Sequence, residues 1–288
     1  MRPRLISHAD VPAATRLSEV STTAAAEALN RCFEDYVVPF HLSAEAYARR
    51  FHAEGLDVFA SRLVGSTAEP LALVLITRRA AWARVAAMAV ASVARGGGLG
   101  RRLLALAVEE AVARGDRGML LEVIEGNARA IRLYESMGFQ TTRRLIGFRG
   151  AGAASAAGGA DRLEGSDVVA VSRAMTTDGE TRELPWPLRP ETLAGLTGDV
   201  EAFSSAGGDA FAIVQNGRSD KPRLSCLFVA PEARGRGAGL RLLGRLTAGN
   251  DREWTAPPYL PEGRFEGFMA AAGWRVHETT QLEMKLTF

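Results

Sequence analysis

Two glycine-rich turns, each placed between an apolar strand-like run and an amphipathic helix, constrain the fold of this chain more than any other feature. The first turn is Arg95-x-x-Gly98-x-Gly100, and the second is Arg234-x-x-Gly237-x-Gly239, 139 residues later. A turn that opens a helix points free backbone N–H groups and the positive end of the helix dipole at one place, which favours a phosphate-bearing ligand. The repeat predicts a duplicated domain.

Length and composition agree with two ordinary globular domains. The chain has 288 residues, of which 47% are hydrophobic and 24% charged, and its net charge of +2 provides no basic field for nucleic acid. No apolar run follows the first residues, and the longest run, 71–76, is far below the ~20 residues that span a membrane. Cys32 and Cys226 lie in different predicted domains, without metal-ligand spacing. We expect a cytoplasmic protein with no metal, membrane or nucleic-acid partner.

The predicted elements recur along the chain in reduced form. Apolar periodicity predicts mostly helix over 21–53, followed by three strands, a helix, a strand and a helix: 58–64, 71–77, 82–90, 99–114, 119–124 and 127–137. In the second half it predicts two strands, two helices and a strand: 210–215, 224–229, 237–247, 264–272 and 281–288. The Ala/Gly/Ser-rich stretch between the halves is typical of a linker. We therefore predict domains at 1–150 and 166–288, joined by a linker at 151–165.

The sequence after the first turn narrows the kind of phosphate site. It contains neither a Gly-Lys-Ser/Thr P-loop nor a complete G-x-G-x-x-G dinucleotide fingerprint. Residues 121–139 instead read LEVIEGNARAIRLYESMGF. With the first turn, this string resembles the GNAT (GCN5-related) N-acetyltransferase superfamily, in particular its ribosomal-protein alanine acetyltransferase type. The resemblance implies an α/β (α+β) fold of two tandem GNAT domains, each a mixed central sheet flanked by helices, with a shorter and degenerate second copy.

The resemblance also implies an activity, the transfer of acetyl from acetyl-CoA to a primary amine by direct attack, in the N-terminal domain. It assigns CoA binding to these residues: Met88, Val90, Arg95, Gly96, Gly97, Gly98, Gly100, Arg101 and Asn127. It makes Glu122 the general base, acting through water, and places Tyr134 against the departing thiolate.

Both catalytic assignments have structural alternatives. Glu122 could face solvent or pair with an arginine, and Tyr134 could pack on the sheet from a helix face. A tyrosine pKa of about 10 exceeds a thiol pKa of about 8.5, so Tyr134 is expected to stabilise the leaving sulfur mainly by hydrogen bonding. A glutamate pKa of about 4.3 makes a weak base for an ammonium, so Glu122 needs burial to raise its pKa, or a bridging water.

The second copy departs from the pattern after its turn. Counting back from Gly273, Met269 stands where Tyr134 stands and Glu262 stands where Asn127 stands. Methionine cannot donate a hydrogen bond to a thiolate. Three alternatives stay open for this copy. It could be a degenerate domain that only packs, a CoA-binding domain without catalysis, or an active second site.

The acceptor side is less readable. Tyr36, Pro39, Phe40 and His41 lie at a break between the N-terminal helices and are candidates for acceptor contact, with ordinary core packing as the alternative. A small-molecule amine and a peptide or protein amine both remain open, as does the oligomeric state, including a monomer. The rival interpretations of the whole chain are a non-catalytic acyl-CoA-binding or regulatory protein, and a tandem enzyme with its site in the C-terminal copy.

Overall fold

The computed structural model describes residues 14–36, 40–151, 164–219, 221–248 and 252–288, and the chain divides into two compact units. The first unit comprises Met1–Thr142 together with Leu282–Phe288, and the second comprises Arg143–Gln281. The division differs from the predicted boundaries, because each unit takes a strand from the other half of the sequence. The predicted linker lies largely outside the described residues.

The described residues form thirteen strands and eight α-helices. The strands are β1 (Ala14–Arg16), β2 (Arg62–Gly65), β3 (Pro70–Arg79), β4 (Trp82–Val90), β5 (Gly118–Ile124), β6 (Gln140–Ala151), β7 (Glu164–Ser166), β8 (Val200–Ser204), β9 (Ala210–Gln215), β10 (Arg223–Val229), β11 (Glu253–Pro261), β12 (Arg275–Val276) and β13 (Gln281–Thr287). The helices are α1 (Thr22–Cys32), α2 (Ala44–Glu54), α3 (Leu99–Ala113), α4 (Ala128–Ser136), α5 (Val168–Thr176), α6 (Pro190–Ala194), α7 (Ala238–Thr247) and α8 (Glu266–Ala271). The predicted mixed α/β architecture is confirmed.

The first unit is a mixed sheet in the order β1-β2-β3-β4-β5-β13, with helices on both faces. Strands β1 to β4 pair antiparallel, and β4 pairs parallel with β5. Leu103 and Leu104 of α3 are fully buried on one face of the sheet, whereas Leu29 of α1 and Phe51 of α2 are buried on the other. Successive side chains of a strand point to opposite faces, so the nearly continuous buried run of β3 supplies both apolar faces of the sheet.

Strand β13 completes the core of the first unit. Met284 is fully buried among the residues packed by α3, and Lys285 lies on the ring of Trp82, with its Nζ 4.5 Å from the ring centroid. A Cβ at Gly118 would approach the carbonyl oxygen of Leu286 to 2.3 Å. Glycine is therefore required where β5 meets this strand.

The second unit repeats the sheet in the order β7-β8-β9-β10-β11-β6, with α5 and α6 on one face and α7 and α8 on the other. Sequence patterning found β9, β10, α7 and α8 but not β11, α5 or α6. Pro257 and Pro258 in β11 lack N–H groups, which argues against a strand. They fall where the pairing with β6 shifts, between Ala256 and Leu260, so no hydrogen bond of that pairing needs their missing N–H groups.

Candidate active site

The first glycine turn connects β4 to α3 through a short 3-10 segment at Ser92–Ala94. Gly96 and Gly98 have φ angles of +91° and +74°, in the left-handed region that glycine adopts without strain. The backbone N–H groups of residues 96–101 donate to no acceptor within the described residues, and the first helical bond runs from Arg102 to Gly98. Six free donors at a helix N-terminus form a site for an anion.

The turn lies beside an opening in the sheet. The parallel pairing of β4 with β5 runs from Trp82–Gly118 to Val85–Leu121 and stops there, next to an irregularity in β4. A cavity of about 440 Å³ occupies this region. Its lining includes most of the residues that the sequence assigned to CoA: Met88, Val90, Arg95, Gly96, Gly98, Gly100, Arg101 and Asn127.

The helix after the turn must lie close to β4. A Cβ at Gly100 would lie 3.2 Å from Cγ2 of Val90 and 3.3 Å from Cε of Met88. Gly97 does not line the cavity, and its carbonyl oxygen accepts a hydrogen bond from Nη1 of Arg102 at 2.8 Å. The glycines therefore serve close packing as well as backbone conformation.

The charged side chains of the turn make contacts inside the first unit. Nε of Arg95 donates to the carbonyl oxygen of Val90 at 2.9 Å, and its Nη1 lies 3.8 Å from the exposed carboxylate of Asp35. Arg101 is exposed, with its Nη2 3.4 Å from the carbonyl oxygen of Ser136. Both guanidinium groups stay near the surface, where an incoming phosphate could reach them.

Asn127 and Tyr134 come from α4, on the far side of the cavity. Asn127 caps the helix by accepting from the N–H of Ala130 at 3.1 Å, and its side chain also hydrogen-bonds that of Tyr36. Tyr134 is 8% exposed and lines the cavity. Burial, and next the neighbouring Tyr36, raise the pKa of Tyr134 above its ordinary value. Its hydroxyl therefore stays protonated at neutral pH and can donate a hydrogen bond.

Glu122 points elsewhere. Its Oε2 lies 2.7 Å from both Nε and Nη2 of Arg84, whose Nη1 in turn lies 2.7 Å from Glu54 of α2. Its carboxyl is buried, does not line the cavity, and has no hydrogen-bond donor at Oε1 within the described residues. Burial raises the pKa of Glu122, with Arg84 opposing and Glu283 adding to the rise. The structure thus pairs Glu122 with an arginine and does not place it beside Tyr134.

The acceptor-side candidates separate. Tyr36 lines the cavity, Phe40 packs on Phe33 with ring centroids 4.9 Å apart, and His41 is exposed. Pro39 lies outside the described residues. Sequence reasoning missed Cys32, Phe33 and Asp35, which also line the cavity from the end of α1. The position of α1 against the turn carries no local sequence signal, so only the fold brings them there.

The second turn repeats the first in detail. Gly235 and Gly237 have φ angles of +75° and +77°, and the N–H groups of residues 235–240 also find no acceptor within the described residues. Nε of Arg234 donates to the carbonyl oxygen of Val229 at 3.2 Å. Two further hydrogen bonds of the second turn have counterparts in the first. Nη1 of Arg241 donates to the carbonyl oxygen of Arg236 at 2.8 Å, as Nη1 of Arg102 does to that of Gly97 at 2.8 Å. The N–H of Ala230 donates to the carbonyl oxygen of Asp209 at 2.8 Å, as the N–H of Ala91 does to that of Leu71 at 2.9 Å.

The second cavity differs from the first. It has a volume of about 620 Å³, and Met269 lines it, at the position that the alignment gave for Tyr134. Glu262, aligned with Asn127, pairs with Arg144 and does not line the cavity. Arg234 pairs with the carboxylates of Asp178 and Glu180. This unit offers the turn without the polar groups of α4.

Two further classes of site find no support. Within the described residues, no group of three or more His, Cys, Asp or Glu side chains could hold a metal ion. Across those same residues, no helix combines the length and the apolar character that a membrane crossing needs. Cys32 and Cys226 are buried free thiols.

Residues 23–139 match the family model of the Acetyltransferase (GNAT) family. No curated protein matches the sequence. Among solved structures, a GCN5-related N-acetyltransferase from Sphaerobacter thermophilus aligns over 96% of both chains at 18% identity, with a TM-score of 0.64. A tandem GNAT protein from the clavulanic acid biosynthesis pathway aligns over 96% of this chain and 97% of that one at 15% identity, also with a TM-score of 0.64.

A third structure, the ribosomal-protein-S18-alanine N-acetyltransferase from Escherichia coli, aligns over 46% of this chain and 80% of its own at 26% identity, with a TM-score of 0.39. The two full-length alignments show the fold, and the family match covers residues 23–139. The chain therefore has the fold of a tandem GNAT protein, and its residues 23–139 match the model of the acetyltransferase (GNAT) family.

Proposed function

We propose that the protein is an acetyl-CoA-dependent N-acetyltransferase whose chemistry takes place in the first unit. One observation carries this proposal. A single cavity is lined by five of the six residues with free N–H groups, by the part of β4 that does not pair with β5, and by Tyr134. A phosphate-bearing thioester needs an anion site, an extended backbone edge and a donor near its sulfur, in that order along its length.

The first two features would hold the cosubstrate. The N–H groups of the turn, with the α3 dipole behind them, would bind the pyrophosphate, and Arg95 and Arg101 would add positive charge at the rim. Beyond Val85, β4 no longer pairs with β5, so the backbone of Met88 and Val90 can hydrogen-bond the pantetheine arm.

The third feature would assist bond cleavage. The neutral amine attacks the thioester carbonyl, a tetrahedral intermediate forms, and the C–S bond breaks to release the CoA thiolate. The raised pKa of Tyr134 keeps its hydroxyl protonated, so it donates a hydrogen bond to the developing thiolate. Asn127, which lines the same cavity, would position the adjacent part of CoA through its side-chain amide.

The amine must also lose a proton, and Glu122 is the candidate base. The carboxyl of Glu122 is outside the cavity lining, so it would act as a base only through water. Its raised pKa makes it a better match for an ammonium than an ordinary glutamate. The acceptor would enter past Tyr36 and Asp35 at the end of α1, where the carboxylate of Asp35 favours a cationic amine, small-molecule or peptide.

The test is amine-dependent thiol release from acetyl-CoA by the wild-type chain, over a panel of small amines and peptides with free N-termini or lysines. We expect turnover with at least one class of amine, rising with pH as the amine loses its proton. Tight acetyl-CoA binding with no thiol release from any member of the panel would favour a non-catalytic acyl-CoA-binding protein instead.

A further inference from the structure

The cavity of the second unit is lined largely by apolar side chains, and none of its residues is assigned a catalytic role. It opens where β10 and β11 separate, since these strands pair only at Arg223–Thr255. Its lining comes from both apolar clusters of the unit, with Leu227 and Phe268 on one face of the sheet, and Met175 and Leu193 on the other. An open cavity of about 620 Å³ with such walls fits an apolar group of considerable length.

The mouth of this cavity has the opposite character. Five of the six residues with free N–H groups, Gly235 and 237–240, line the cavity together with Arg264, and the sixth, Arg236, is exposed within the turn. Asp178 and Glu180 pair with Arg234, and Glu180 also pairs with Arg264. None of these contacts occupies the backbone N–H groups, so the turn itself keeps its attraction for an anion. A ligand that satisfies both ends has phosphates at one end and an apolar chain at the other.

We propose that the second unit binds a coenzyme A thioester whose acyl chain is longer than acetyl, with the phosphates at the second turn and the chain in the cavity. The inference rests on the proposed function, because both assign phosphates to a glycine turn. The site holds the thioester without cleaving it, since Met269 offers no hydrogen bond to a leaving thiolate. The first cavity, with about 440 Å³ and Tyr36 and Tyr134 in its wall, is less suited to such a chain.

The test is calorimetry on the full chain carrying Gly98→Glu, which disables the first turn. The probes are acetyl-CoA, hexanoyl-CoA, decanoyl-CoA and sodium decanoate. We expect one site, with decanoyl-CoA at least about tenfold tighter than acetyl-CoA, because each buried methylene adds to affinity. Equal affinity for the three thioesters, no binding of any of them, or decanoate binding as tightly as decanoyl-CoA would each overturn the proposal.

A matched pair of variants locates the chain. Leu227 and Met88 occupy equivalent positions, 3.4 Å and 3.3 Å from where a Cβ would stand on Gly239 and Gly100. In the Gly98→Glu background, Leu227→Trp should fill the second cavity and weaken decanoyl-CoA about tenfold, whereas Met88→Trp should not. Equal effects of both would refute the location. If Leu227→Trp fails to fold, the chain-length series alone decides. Amine-dependent thiol release by the wild type reports separately on the proposed function.

Discussion

The two glycine turns share their backbone geometry and differ in what faces them. Each turn has two glycines at positive φ, six free N–H groups and an arginine bonded to the last residue of the preceding strand. The first turn shares its cavity with Asn127 and Tyr134, but the second shares its cavity with Met269 and apolar side chains. A phosphate site can thus be inherited intact, while the chemistry depends on a helix some 30 residues further along the chain.

The largest expected effect concerns the two buried ion pairs of Arg84 in the first unit, which have no counterpart at the equivalent arginine among the described residues of the second. Arg84 lies between Glu54 and Glu122, while Arg223, 139 residues later, lies over the ring of Tyr259 and makes no ion pair within the described residues. Arg84→Met should lower the free energy of unfolding by about 3–5 kcal/mol, because the buried carboxylate of Glu122 loses its arginine partner, while Glu54 keeps Arg50. Arg223→Met should cost less than about 1 kcal/mol. Urea unfolding followed by circular dichroism measures both, and equal losses would contradict the comparison.

The next effect tests which turn supports turnover. Gly98→Glu places a carboxylate at the anion site and a side chain at φ +74°, and we expect kcat/KM for acetyl-CoA to fall at least about 100-fold. Gly115→Glu is the control, since Gly115 has φ +80° and no atoms near its Cβ position, at the exposed end of α3. Loss of turnover in Gly237→Glu, with retention in Gly98→Glu, would move the chemistry to the second unit.

A smaller effect isolates the tyrosine that the second unit lacks. Tyr134→Phe should lower kcat by about 10- to 100-fold, with KM for acetyl-CoA changed by less than about twofold, because the hydroxyl acts on the leaving sulfur. Tyr47→Phe is the matched control, since the Tyr47 hydroxyl is buried in α2 and has no partner within the described residues. Because burial raises the pKa of Tyr134, the wild type should show no alkaline loss of kcat from tyrosine ionisation below about pH 10. Unchanged turnover in Tyr134→Phe would remove this residue from the mechanism.

The smallest expected effect is on stability, and it concerns the two carboxylates that pair with the turn arginines. Asp178 pairs with Arg234, and Asp35 pairs with Arg95. Burial raises the pKa of Asp178, but its bonds to Arg234 and to the N–H of Glu180 outweigh this and hold the pKa below its ordinary value. The stabilisation is therefore complete above the ordinary aspartate pKa of about 3.9 and is lost as pH falls through the folded-state value. Asp178→Asn should cost about 1 kcal/mol at pH 7 and nearly nothing in strong acid.

Asp35 lies 3.8 Å from Arg95 and is largely exposed, so Asp35→Asn should change the free energy of unfolding by at most about 0.5 kcal/mol, and less in high salt. Urea unfolding at pH 7 and pH 3 compares the two variants. A larger loss for Asp35→Asn than for Asp178→Asn would contradict the contrast drawn between the two turns.

Local patterns predicted much of this fold. The strand–turn–helix order, the limits of β4 and β9, and the helix that ends before Gly138 follow from periodicity and glycine placement. The sequence did not predict β11, because its prolines argue against a strand. The shift in its pairing with β6 explains how they are tolerated. The exchange of β6 and β13 between the units was also not predicted, because no local sequence pattern indicates which sheet a strand joins.

The candidate site was predictable on its CoA side and less so around Glu122. The turn residues, Asn127 and Tyr134 lie in one motif, and α4 necessarily places the last two on the same side of the turn. Strand alternation puts Glu122 on the face opposite Leu121 and Val123, which are both buried in the α3 cluster. That its partner would be Arg84 depends on the pairing of β4 with β5, a contact between residues 38 positions apart.

The place of β13 in the first sheet has a consequence for biosynthesis. A ribosome that has delivered residues 1–142 has supplied the turn, α4 and five of the six strands, but not the Met284 side chain that fills the core between them. The nascent first unit must wait with an open sheet edge while about 140 further residues emerge. A premature stop codon shortly before position 282 would therefore damage the half of the protein that was translated first.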